Sequence, residues 1–92
     1  MKHVIVTGGA QGIGRIIAQA LLKVGYAVSI FDMDNEAMEE IKPQFDKKRC
    51  AFFVTDVSSE VSVRSSVRAS LKKFDGIYGL VNNAVYEVFK PM

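Results

Sequence analysis

The stretch Thr7-Gly8-Gly9-Ala10-Gln11-Gly12-Ile13-Gly14 packs four glycines into seven residues. It stands between an apolar run, Val4-Ile5-Val6, and a helical pattern. A helix N-terminus carries unpaired N–H groups and a partial positive charge, so it attracts phosphate. Glycines let the backbone approach such a ligand and let the helix pack close to the strand. A bare turn requiring positive φ would need one or two glycines, not four. A P-loop is excluded by chemistry: Gly9 and Gly14 have its separation, but Arg15-Ile16 stand where Lys and Ser/Thr are required.

The rest of the chain repeats the strand–helix alternation. Ala27–Phe31, Cys50–Val54 and Ile77–Val81 are nearly continuous apolar runs, which suits strands covered on both faces. Ile13, Ile16, Ile17, Ala20, Leu21 and Val24 fall at offsets 0, 3, 4, 7, 8 and 11. They predict the buried stripe of a first helix that Gly25 stops. Asp34-Asn35-Glu36 opens a shorter helix ended by Pro43. Val63, Val67, Leu71 and Phe74 predict the stripe of a third. Ser58 or Ser59 can cap it, and Gly76 follows it.

The order β-α-β-α-β-α-β predicts an α/β fold: half of a doubly wound Rossmann fold, a parallel sheet of four strands in order 3-2-1-4 with three helices. A flavodoxin-like order is the alternative. Residues 1–92 read as a single truncated domain, with the second half of the doubly wound fold missing.

Asp32 follows the second strand, 18 residues past Gly14. A carboxylate there accepts hydrogen bonds from an adenosine ribose diol and repels a 2′-phosphate, which favours NAD over NADP. The alternative is a turn-starting Asp32, with Asp34 as the helix cap. Asp56 ends the third strand at the carboxyl edge of the sheet, where open α/β sheets bind ligands; its alternative role is a cap for the third helix. Asn82 and Asn83, after the fourth strand, can tie loop backbones together across the crevice.

Thr7-Gly8-x-x-x-Gly12-x-Gly14 resembles the TGxxxGxG loop of the short-chain dehydrogenase/reductase family. Asp56-Val57 resembles its adenine-contacting pair, and Asn82-Asn83-Ala84 its NNAG motif, in the family's order and spacing. The resemblance covers nearly the whole chain and implies an NAD(P)-binding Rossmann fold. It implies a cofactor site formed by Gly8, Gln11, Gly12, Ile13, Gly14, Asp32, Met33, Asp56, Val57, Asn83 and Ala84. NADP-preferring members often carry a basic residue where Gln11 stands, so its absence agrees with Asp32. Val85 departs from the family pattern, replacing the glycine of NNAG.

The family's chemistry rests on a serine and a Tyr-x-x-x-Lys pair, in chains of roughly 250 residues, and no catalytic residue is assigned here. Tyr86-Glu87-Val88-Phe89-Lys90 fits the spacing but is rejected, because a final half-turn next to Pro91 cannot hold the two groups in register. The chain is therefore read as the cofactor-binding part of a short-chain oxidoreductase, inactive alone. The alternative is a non-catalytic nucleotide-binding or self-assembling module. A receiver domain is excluded, since Thr7-Gly8 stand where its acidic pair would bind magnesium.

A net charge of +2 is too small to suggest nucleic acid, so Lys47-Lys48-Arg49 and Lys72-Lys73 are read as solvated. The one cysteine, Cys50, excludes an intrachain disulfide and reads as a buried small hydrophobe. No apolar run is long enough for a bilayer span, and the start reaches glycine too soon for a signal peptide. A reduced, cytoplasmic setting is expected. His3 is expected at the surface, ahead of the first strand. Homo-oligomerisation is expected through the exposed edge of the fourth strand, Ile77 to Val81, and through uncovered apolar sheet and helix faces.

Overall fold

The computed structural model describes residues 1–84; Val85 and the Tyr86–Lys90 stretch lie outside the described residues. The elements are β1 (His3–Thr7), α1 (Gly12–Lys23), β2 (Ala27–Asp32), α2 (Asn35–Ile41), a 3-10 turn (Lys42–Gln44), β3 (Cys50–Val54), α3 (Glu60–Lys73) and β4 (Gly79–Asn82). The four strands pair in parallel in the order β3-β2-β1-β4. This is the Rossmann order, not the flavodoxin-like one. Val4 stands opposite Val28 on one side and Gly79 on the other. Right-handed crossovers then put α1 and α2 on one face and α3 on the other. The direction of winding reverses between β1 and β4, which opens a crevice at their carboxyl ends.

The core lies under α1 and α2. Val4, Val6, Val28 and Ile30 pack there with Ala18, Leu22, Met38, Ile41 and Phe45. Ile30 and Met38 are essentially excluded from water, and each contributes roughly 1.5–3 kcal/mol by burial. Asp34 caps α2 by accepting from the Ala37 N–H at 3.0 Å. Ser59, not Ser58 or Asp56, caps α3 by accepting from the Ser62 N–H at 3.2 Å.

Five local expectations are corrected. The buried face of α1 is Gly14, Ala18 and Leu22, with Ile17 and Leu21 beside it, whereas Ile13 and Ile16 are 70% and 65% exposed. Small residues on the inner face let the helix approach the sheet. The apolar residues wrap too far around α1 for periodicity to pick one stripe. On α3 the buried positions are Ser66 and Ser70; Val63 and Val67 flank them half-buried, while Leu71 is exposed. β4 begins at Gly79 rather than Ile77.

His3 belongs to β1 and is buried. Its Nε2 lies 2.7 Å from Ser29 Oγ and its Nδ1 2.9 Å from the Gly76 carbonyl oxygen, so both ring nitrogens are satisfied inside the fold. Arg49 is not merely solvated: its guanidinium donates to the Leu22 carbonyl oxygen at 2.7 Å, placing a cation at the negative end of α1.

Cys50 is buried as expected. Burial pushes its thiol up from 9.0 to about 12, against the pull of the Lys73 charge. The folded value lies above the unfolded one, so this contribution is intact below about pH 9 and is lost as the pH rises toward 12. Cys50→Ala should therefore remove part of the alkaline loss of stability. Denaturation midpoints of the two proteins across that range check this, and parallel pH profiles would refute it.

Candidate functional site

The glycine loop leaves β1 at Thr7 and enters α1 at Gly12. Gly8 takes a left-handed φ of +67° and donates its N–H to the Phe31 carbonyl oxygen at 2.7 Å. Gly14 is required by proximity. A Cβ there would overlap the Gly8 carbonyl oxygen and come within 2.6 Å of Asn83 Nδ2. The first turn of α1 has no side-chain cap and no acidic residue. α2 and α3, by contrast, each have a side-chain cap and a first-turn glutamate. The N-terminus of α1 is thus the one that its own first turn leaves without a cap or an acidic side chain.

Asp32 ends β2 and holds the middle of this loop. One carboxylate oxygen accepts from the Ala10 N–H at 3.1 Å and the other from the Asp34 N–H at 2.9 Å. Each oxygen keeps acceptor capacity for a further donor. The expected turn role is therefore present, with acceptor capacity left over, while Asp34 serves as the cap.

Thr7 joins β1 to the end of β4. Its hydroxyl accepts from the Asn83 and Ala84 N–H groups at 2.9 and 3.0 Å, and donates to Asn82 Oδ1 at 3.1 Å. Asn83 Nδ2 donates to the Gly8 carbonyl oxygen at 3.2 Å. The two asparagines do tie the loops across the crevice, with Thr7 as the hub.

Gly8, Asp32, Met33, Val57 and Ala84 share a crevice of about 230 Å³ with Phe31 and Thr55. Gln11 and Gly12 line a separate concavity, on the α2 side of the loop, with Arg15, Glu40 and Gln44. Ile13 is exposed. The Asp56 carboxylate turns back on Ser58, accepting from its Oγ at 2.6 Å and its N–H at 2.9 Å. Those two bonds hold the Asp56 carboxyl below its ordinary value. Sequence reasoning missed the roles of Ala10, Phe31 and Thr55. Thr55 donates its N–H to the Asp32 carbonyl oxygen at 2.8 Å, which fixes the floor of the crevice. A threonine following an apolar strand carries no signal of its own.

The parallel sheet, its winding reversal and the glycine loop define a Rossmann-type α/β unit. The sequence is more specific still: residues 2–92 match the family model "short chain dehydrogenase", and the chain belongs to that family. An uncharacterized oxidoreductase of Thermotoga maritima is 40% identical over 85 residues, covering 90% of this chain and 33% of that protein. Human 15-hydroxyprostaglandin dehydrogenase [NAD(+)] is 38% identical over 87 residues, again 90% and 33% of the two chains. The crystal structure of 3-ketoacyl-(acyl-carrier-protein) reductase from Brucella melitensis complexed with NADH superposes with a TM-score of 0.80 at 29% identity. It covers 86% of this chain and 32% of that one. The chain spans about a third of the length of the curated relatives it matches.

Proposed function

We propose that residues 1–92 are a single cofactor-binding unit, the N-terminal part of an NAD-linked short-chain oxidoreductase. The observation that carries this reading is the Asp32 carboxylate bonded to the glycine loop, beside the uncapped start of α1. The loop amides would cradle a diphosphate, as Gly12 leaves open the space where a Cβ would point, while Gly14 lets α1 seat closely on the loop. Asp32 would accept from the ribose hydroxyls, and its charge would oppose a 2′-phosphate. Met33 and Val57 would flank the adenine. Asn83 and Ala84 would hold the β4 side of the crevice through Thr7. When bound, the nicotinamide ring supplies the hydride chemistry. The relative acting with NAD(+) and the structure holding NADH support the same nucleotide.

The substrate-side proton relay of serine, tyrosine and lysine is not assigned to any residue of this chain. We therefore expect saturable NAD binding but no turnover. Titration should show NAD binding more tightly than NADP, with Asp32→Ala weakening NAD by about tenfold, equivalent to about 1.4 kcal/mol. No saturation up to millimolar NAD would remove the reading, and steady NADH formation with a panel of alcohols would overturn the expected inactivity.

Exposed apolar surface favours self-association as a second property. β4 is an edge strand with Leu80 62% exposed, and Ile13 and Ile16 lie open on α1. Sedimentation should show a concentration-dependent oligomer, and a clean monomer at high concentration would count against it. Cys50 is free and buried, and no helix among the described residues is long and apolar enough to cross a membrane. Both fit a reduced cytoplasmic setting.

A further inference from the structure

The other edge of the sheet carries a feature unrelated to the dinucleotide crevice. A groove of about 340 Å³ runs along β3, starting at Cys50, while the crevice lies at the carboxyl ends of the strands. Its floor is apolar: Phe45 and Phe52 pack with ring centroids 5.5 Å apart beside buried Cys50. Its rim is cationic, formed by Lys42, Lys47 and Lys73. Lys42 Nζ sits 5.9 Å from the Phe52 ring centre, and the Lys73 charge is felt at the Cys50 thiol. The carboxylates nearby are already engaged, Glu39 with Lys42 at 2.6 Å and Asp46 with Arg49 at 3.4 Å. Lys47 and Lys73 have no ion-pair partner among the described residues.

We propose that this groove binds a small amphipathic anion, an alkyl or aryl carboxylate whose tail lies on Phe45 and Phe52 and whose head meets Lys47 and Lys73. A groove of this size falls within the range of small-ligand sites, and a few polar groups around an apolar floor are their usual make-up. Lysines also guard edge strands against pairing with other chains. That role explains charge along the edge. It does not require two aromatic rings and a hollow beneath the charge. The concavity favours a compact ligand over an added strand.

The test uses octanoate, octanol and a short acidic strand-forming peptide, titrated into the whole chain and followed by NMR. Octanoate should saturate with a Kd on the order of 0.1–1 mM, with shifts confined to Phe45, Ala51, Phe52 and Phe53. Octanol should bind at least several-fold more weakly. Lys73→Glu, an exposed change that leaves the aromatic floor intact, should weaken octanoate roughly tenfold. NAD binding should stay unchanged in that variant. Equal binding of octanol, shifts on α1 instead of β3, no saturation, or binding of the acidic peptide without octanoate would each overturn the proposal.

Discussion

Gly14→Ala should lower the stability of the chain by about 3 kcal/mol or more, and dinucleotide binding should be lost with it. The added methyl would be driven into the Gly8 carbonyl oxygen and the Asn83 amide. Neither neighbour is the free end of a flexible side chain. Gly8 is pinned by its N–H bond to Phe31, and Asn83 by its bonds to Thr7 and Gly8. Overpacking of this kind costs about 1–3 kcal/mol where neighbours can shift, and more where they cannot. A domain of this size has a total stability of only about 5–14 kcal/mol. Gly12→Ala makes the control. Gly12 has a φ of +57° but open space where a Cβ would point, so its cost should stay near the roughly 1–2 kcal/mol of left-handed strain. Urea unfolding of both variants ranks them. If Gly14→Ala proved no worse than Gly12→Ala, α1 would not be seated on the loop as described.

The same pair of glycines shows what the residues alone could disclose. Their number and spacing announced a loop that something approaches closely, and the alternation of apolar runs announced a parallel sheet with order 3-2-1-4. Asp32 was legible as the carboxylate that ends the second strand and starts a turn, and the structure bonds it to the Asp34 N–H and to the glycine loop at Ala10. Other features were not legible, for reasons of geometry. Ile13, Ile16 and Val24 look like a core stripe because the apolar residues of α1 exceed half its circumference, and only the seat on the sheet chooses the inner face. His3 looked exposed because nothing local reveals its partners. Ser29 and Gly76 are 26 and 73 residues away. Asp56 and Gln11 could be matched to a motif, but a motif does not say which way a side chain turns. Asp56 turned to Ser58, and Gln11 to the far side of the loop.

Thr7→Val should cost about 3–5 kcal/mol although it preserves shape. Valine keeps the volume and the β-branched fit to the end of β1, so the change removes only the hydroxyl. That hydroxyl accepts two backbone N–H groups, of Asn83 and Ala84, and donates to Asn82. Thr7 itself is 7% exposed, so water cannot fully replace it, and each orphaned donor costs about 1–3 kcal/mol. Thr7→Ser keeps the oxygen and loses a methyl, a change of only about 1 kcal/mol. The comparison separates hydrogen bonding from packing, because burial alone would rank valine above serine. Amide exchange gives the local readout. In Thr7→Val the Asn83 and Ala84 N–H groups should exchange at least tenfold faster, while those of β2 and β3 change only with global stability. The β4 end of the crevice would then lose its link to the glycine loop, since Asn83 also holds the Gly8 carbonyl. Dinucleotide affinity should fall in Thr7→Val and persist in Thr7→Ser. Serine proving the weaker of the two would mean that the methyl, not the hydroxyl, fastens β4 to β1.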